Sequence, residues 1–160
     1  MVQKSITKKG SLLVYTRLPE EEAYSTSLAG SVHFAYSRDG VFYEPLNQNY
    51  GILFPSATIR QPNTLNEKAL RNPFIFHTKE GEFGILAVRI NADGSEDDES
   101  RGKILIWTSE DLIRFDEKGL FDLGIDTIVA SAVCRYDAAL RQYIISWQDK
   151  AGRYYQNTLI

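Results

Sequence analysis

The sequence predicts an all-β fold built from repeated strand units, and three observations support this prediction. Apolar and polar residues alternate along short segments such as residues 32–37, which is typical of half-buried strands. A motif of strand, Ser-x-Asp turn and aromatic strand occurs twice, and Ser37 lies 72 residues before Ser109 (109 − 37). The same interval separates Asp39 from Asp111 (111 − 39). Turn residues separate the strands while helical patterns are scarce, and a unit that returns at a fixed spacing indicates a β-propeller.

The two copies assign an order to the strands of each unit. In the second copy the strands are predicted at residues 74–77, 83–89 and 104–109, and after Asp111. In the first copy the matching strands are predicted at residues 2–6, 12–16, 32–37 and 42–46. A third copy begins near residue 131, continues through residues 143–147 and stops at residues 153–160. The prediction is therefore a partial β-propeller of about two and a half four-stranded blades.

We expect one partial propeller domain over residues 1–160, with blade units at about 1–60, 61–125 and 126–160. Single helical turns are expected at residues 66–70 and 111–115. Because propellers typically close with four to eight blades, three alternatives remain open. The chain is a fragment of a longer protein, two copies form a homodimer that completes one ring, or the strands form a smaller sandwich.

Composition excludes several classes of function. The 160 residues carry a net charge of −3 and no basic block, which argues against a nucleic-acid surface. No apolar run approaches the ~20 residues of a membrane span. The N-terminal residues hold no apolar region of a signal peptide, so the chain as given is predicted to be cytoplasmic. The single cysteine, Cys134, is expected to be a small buried hydrophobe.

Four segments, in the right order, resemble the five-bladed propellers of glycoside hydrolase family 43. These segments are residues 33–43, 71–75, 106–115 and 131–147. The family includes arabinofuranosidases, arabinanases and β-xylosidases, so the resemblance implies arabinose- or xylose-containing glycans as partners. It also implies inverting hydrolysis, in which a base carboxylate activates water and an acid protonates the leaving oxygen.

The sequence departs from the family at the positions that carry this chemistry. Asn72 stands where the Arg-Asp-Pro motif supplies the carboxylate that holds the acid, and Val133 stands where the Ala-Pro-Glu motif supplies the acid itself. The base lies upstream of this chain or within residues 2–6, which contain no acid. An amide and a valine do not exchange protons near neutral pH. No catalytic residue is therefore assigned.

The family positions leave three candidates for substrate binding: Arg71, Asn72 and Arg89. Trp107 and Trp147 lie inside apolar strands and are expected to pack between blades. His33 and His77 have no cysteine or carboxylate beside them at metal-ligand spacing, so no metal site is predicted, and no cofactor is predicted.

Two acidic features are interpreted as structural. The acidic loop at residues 93–99 does not match the calcium-binding loop pattern and is expected to be solvated and mobile. Asp39 and Asp111 are expected to accept hydrogen bonds from backbone amides of their own turns.

The sequence thus predicts a family 43-like propeller domain that binds, or formerly hydrolysed, arabinose- or xylose-containing glycans and is inactive in this chain. Two alternatives stay open. One is an active glycosidase whose carboxylates come from a missing portion or a second chain, and the other is a structural or assembly domain without a ligand.

Overall fold

The computed structural model describes residues 9–20, 24–60 and 63–159, and the side chain of Arg60 is not described. Within these ranges the chain forms twelve strands, one short helix and two 3-10 turns. The strand predicted at residues 2–6 lies outside the described residues. Among the described residues, no helix has the length and apolar character needed to cross a membrane.

The strands form three sheets and one separate hairpin, each antiparallel. The first sheet consists of β1 (Ser11–Tyr15), β2 (His33–Ser37) and β3 (Glu44–Pro45) in that order. The hairpin consists of β4 (Thr58–Arg60) and β5 (Thr64–Asn66). The middle sheet consists of β6 (Lys68–His77), β7 (Phe83–Asn91), β8 (Lys103–Ser109) and β9 (Asp116–Asp122). The third sheet consists of β10 (Val129–Asp137), β11 (Gln142–Asp149) and β12 (Tyr154–Leu159).

Successive sheets packed side by side confirm the predicted all-β, partial propeller fold. Strand β6 contacts β10 of the third sheet and β1 of the first, so it occupies the innermost position of the middle sheet. The hairpin β4–β5 crosses the unit boundary expected near residue 60. The division into blade units stays a prediction.

The two predicted helical turns are wrong. Residues 66–70 contain the end of β5 and the start of β6. Lys68 and Leu70 pair with Asn91 and Arg89 of β7. Residues 111–115 form an irregular bend between β8 and β9. The helix of the described chain, α1 (Thr26–Ala29), lies instead in the long connection between β1 and β2.

The middle sheet is buried on both faces, and its neighbours cover one face each. Leu86 and Val88 of β7 belong to a core shared with the third sheet, which includes Trp147. Ile85 of β7 belongs to a core that the middle sheet shares with the first sheet. Trp107 of β8 is part of this core. Both tryptophans are thus packed between sheets, as predicted. Each large apolar side chain buried in this way contributes about 1.5–3 kcal/mol.

The repeated Ser-x-Asp turns are confirmed as structural. The carboxylate of Asp39 accepts hydrogen bonds from the amides of Val41 (2.8 Å) and Phe42 (3.0 Å). The carboxylate of Asp111 does the same with Ile113 (2.8 Å) and Arg114 (2.9 Å). These bonds fix the reversal of the chain between the two outer strands of the first sheet and of the middle sheet.

A buried histidine anchors the β1–β2 connection to the first sheet. His33 is completely buried. Its Nδ1 lies 2.9 Å from the carbonyl oxygen of Ser31, so Nδ1 donates and Nε2 accepts from the hydroxyl of Tyr24 at 2.5 Å. Burial lowers the pKa of His33, and the nearby charge of Arg17 acts in the same direction, against the hydrogen bond to Ser31. The neutral ring is therefore the form that fits this site.

We expect the protein to lose stability as pH falls below about 6.5 because of His33. The unfolded chain takes up the proton near the ordinary pKa of 6.5, whereas the folded chain resists it to a lower pH. Stability from this group is thus complete above the ordinary pKa and is lost as pH falls through the folded pKa. Urea unfolding at several pH values measures the effect, with His33→Gln as the control. If the wild type and this variant lose stability in parallel as pH falls, the assignment is wrong.

Candidate functional site

Five connections meet at one end of the sheets, which we call the site end. They are β1–β2, β3–β6, β7–β8, β9–β10 and β11–β12, and backbone hydrogen bonds join them in pairs. The amide of Val32 donates to Leu53 at 2.9 Å, that of Gly102 to Thr127 at 2.8 Å and that of Lys150 to Ile128 at 2.9 Å. The inner strands β6 and β10 both begin here. Residues at the start of β6 are therefore surrounded by loops from all three sheets.

Gly102 shows how closely these loops approach each other. Its φ is +67°, and a Cβ atom at this position would lie 1.8 Å from the carbonyl oxygen of Ile125. Only glycine adopts this backbone conformation readily and leaves space for the neighbouring carbonyl. The backbone of the β7–β8 loop thus contacts the β9–β10 loop directly, and the ion pair between Arg101 and Asp126 joins the same two loops.

Arg71 connects the middle sheet to the third sheet. Its guanidinium donates to both carboxylate oxygens of Glu96, at 3.1 and 3.3 Å, and to the carbonyl oxygen of Val129 at 3.0 Å. Lys150, from the β11–β12 loop, forms a second ion pair with Glu96. The donors of Arg71 are thus largely engaged within the protein, and its predicted contact with substrate stays a prediction.

Asn72 is the exposed member of the three predicted binding residues. It lies at an irregularity of the β6–β7 pairing between Arg71 and Phe74, and its φ is +50°, a conformation in which asparagine is enriched. Its Nδ2 donates to the carbonyl oxygen of Ala130 at 2.7 Å. The exposed amide therefore sits where the middle of β6 meets the start of β10.

Arg89, the third predicted binding residue, is buried in a network of charges. Its Nε donates to Asp97 at 2.7 Å and to the hydroxyl of Ser100 at 3.0 Å. The other oxygen of Asp97 accepts from Nζ of Lys68 at 3.0 Å. The side chains of Asp97 and Lys68 are 3% and 1% exposed. This location gives Arg89 a structural role, and substrate contact at this position stays a prediction.

Two carboxylates of the site end, the buried Asp97 and the partly buried Glu96, are held in the ionised form. Burial by itself raises the pKa of Asp97, but hydrogen bonds from Ser100, Lys68 and Arg89 outweigh it and leave the pKa below its ordinary value. Burial likewise raises the pKa of Glu96, and the bonds from Arg71 and Lys150 reverse this shift. A general acid needs a raised pKa so that it carries a proton near neutral pH. Glu96 and Asp97 have the opposite property.

Val133 lies on the face of β10 that points away from the middle sheet. Its neighbours Ala132 and Cys134 are buried in the core between the sheets, whereas Val133 is 46% exposed. Burial raises the pKa of the Cys134 thiol to about 11, so this cysteine is a poor nucleophile. The arrangement therefore offers polar and charged groups for binding, and the position of the family acid carries an alkyl group.

The sequence interpretation missed the buried charges of the acidic loop. The loop at residues 93–99 was expected to be solvated, yet Asp97 is buried between Lys68 and Arg89. The available signal was a lysine at the start of an apolar strand and an arginine near the end of the next strand. Two cations in such places need a buried anion nearby.

We expect Asp97→Asn to lower the free energy of unfolding by about 3–5 kcal/mol, because it leaves two buried cations without their shared anion. The matched control is Glu99→Gln, which removes the other carboxylate that pairs with Arg89. Glu99 is 63% exposed, so its loss should cost at most about 1 kcal/mol. Urea unfolding of the two variants measures both values. Equal effects would show that the buried network does not stabilise the site end.

A comparison with family models connects this geometry to known proteins. Residues 13–157 match a family described as a probable glycosyl hydrolase domain, related to glycoside hydrolase family 43. No curated protein and no solved structure matched in the corresponding comparisons. The match covers most of the chain and confirms the resemblance on which the family positions of Asn72 and Val133 rest. The chain therefore belongs to the family of probable glycosyl hydrolase domains related to glycoside hydrolase family 43.

Proposed function

We propose that this chain binds arabinose- or xylose-containing glycans at the site end and does not hydrolyse them. The observation that carries the proposal is the state of Glu96 and Asp97 at that end. Glu96 is ion-paired to Arg71 and Lys150, and Asp97 to Lys68 and Arg89. Each is held as an anion that cannot donate a proton to a departing sugar oxygen.

The positions of the family carboxylates support the same conclusion. Asn72 supplies an amide, which donates and accepts hydrogen bonds but does not titrate near neutral pH. Val133 supplies no polar atom. Glycoside hydrolysis by inversion needs an acid and a base at the same time, and the two family positions that this chain covers provide neither.

Binding needs less than hydrolysis, and the site end retains what binding needs. The Asn72 side chain is exposed at the junction of β6 and β10, and its Nδ2 is oriented by the bond to Ala130. An amide held in this way presents its oxygen to a sugar hydroxyl without first losing side-chain freedom. The ion pairs around Arg71 keep the surrounding loops in place.

We expect purified protein to bind arabino- or xylo-oligosaccharides in calorimetric titration and to release no sugar from aryl arabinofuranosides or xylosides. Asn72→Gly should weaken binding roughly fivefold, the effect of one lost hydrogen bond. Glycine accepts the positive φ at this position, so the variant removes the amide without straining the backbone. Asn157→Ala, which removes an exposed amide on edge strand β12, is the matched control and should bind normally.

The double variant Asn72→Asp with Val133→Glu tests the missing base. It restores two family carboxylates, and we expect it to remain inactive because no base is assigned in this chain. Saturable sugar release by the wild type would overturn the proposal and favour an active glycosidase. Absence of binding to every glycan tested would favour an assembly domain without a ligand.

A further inference from the structure

A pocket opens at the site end, between the middle and third sheets. It has a volume of about 220 Å³ and lies where the β7–β8, β9–β10 and β11–β12 connections meet. Its lining includes Arg101, Thr127, Asp149, Lys150 and Arg153. Three of these five side chains are cations, each from a loop that faces solvent.

The cations of this pocket have donors to spare. Lys150 pairs with Glu96, and Arg101 pairs with Asp126, but neither carboxylate belongs to the pocket lining. Within the described part of the chain, the side chain of Arg153 forms no ion pair. A guanidinium has five N–H donors and an ammonium has three. Donors on all three side chains thus remain available to a ligand.

The carboxylate in the lining is already satisfied. Asp149 is buried, and its two oxygens accept from the amide of Arg153 at 2.9 Å and from the hydroxyl of Tyr155 at 3.0 Å. It fixes the turn that carries Arg153 and leaves the arginine side chain for other partners. Its negative charge offsets one of the three cations, so the lining keeps a net positive charge of two (3 − 1).

Thr127 adds a hydroxyl group without a partner. Its Oγ1 is buried and forms no hydrogen bond within the described residues, whereas its backbone carbonyl accepts from Gly102. A buried hydroxyl is normally paired, because leaving it unpaired costs about 1–3 kcal/mol. An unpaired hydroxyl beside three cations fits an anion that accepts from all of them.

We propose that this pocket binds the carboxylate of an acidic sugar, so that the glycan recognised at the site end carries a uronic acid unit. This inference rests on the proposed function, since the pocket extends the same site. Continuity supports it: Lys150 lines the pocket and pairs with Glu96, which in turn pairs with Arg71 beside Asn72. Asn72 and the pocket are thus connected through one chain of paired side chains.

The test compares trigalacturonate with its methyl ester, which has the same backbone without the charges, by calorimetric titration of the full chain. A neutral arabino-oligosaccharide is titrated alongside. We expect trigalacturonate to bind at least tenfold more tightly than the ester, with an affinity that falls as salt is added. Arg153→Gln should remove most of this advantage, roughly tenfold, the effect of one charge-assisted hydrogen bond. Thr127→Val should weaken acid binding while leaving the ester unchanged.

Arg38→Gln is the matched control, because it removes one exposed positive charge from the Ser-x-Asp turn at the opposite end of the first sheet. Equal losses in Arg38→Gln and Arg153→Gln would overturn the inference, since they would reflect overall charge alone. Equal affinity for the acid and the ester would also overturn it. If the neutral oligosaccharide still binds in either case, the proposed function stands without the acidic sugar. If no saccharide binds, both proposals fail.

Discussion

The burial of the middle sheet on both faces is the constraint on which the rest of the structure depends. Alternate side chains of β7 enter opposite cores, with Leu86 and Val88 on one face and Ile85 and Ala87 on the other. A sheet that is apolar on both sides must be covered on both sides. The first and third sheets provide this cover. Their packing brings the inner strands and five connections to one end, so the candidate site is a consequence of how the core is filled.

Ion pairs between the β7–β8 loop and the inner strands are the main polar interactions at that end. Lys68, Arg71 and Arg89 extend from the two innermost strands of the middle sheet, and the β7–β8 loop folds back to meet them with Glu96 and Asp97. In low-dielectric surroundings, a carboxylate between two cations remains an anion. The same ion pairs that close the loop over the sheet therefore hold Glu96 and Asp97 as anions. In the proposed function, the stability of this loop and the loss of hydrolysis have one physical origin.

Membership of a hydrolase-related family and the proposed lack of hydrolysis are compatible, because a fold does not determine the reaction of its site. The propeller provides an end where loops from several sheets converge, and this geometry serves binding as well as catalysis. In the proposed function, exposed donors and acceptors such as Asn72 select a ligand through hydrogen bonds. The pocket with three cations in its lining is proposed to extend that selection to the charge of the ligand.

The sequence by itself determined most of the strands of the three sheets, the repeated turns and the inter-sheet position of Trp107 and Trp147, because alternation and turn chemistry are local properties. It also located Asn72 and Val133 at family positions. Only the tertiary structure decided that the acidic loop is partly buried, since Asp97 pairs with Lys68 across 29 residues of chain. It also decided that residues 66–70 lie in strands and not in the predicted helical turn, because Lys68 pairs with Asn91. Ion pairs and strand pairing between distant residues leave no periodic pattern in the sequence, and the burial of a charge depends on what folds over it.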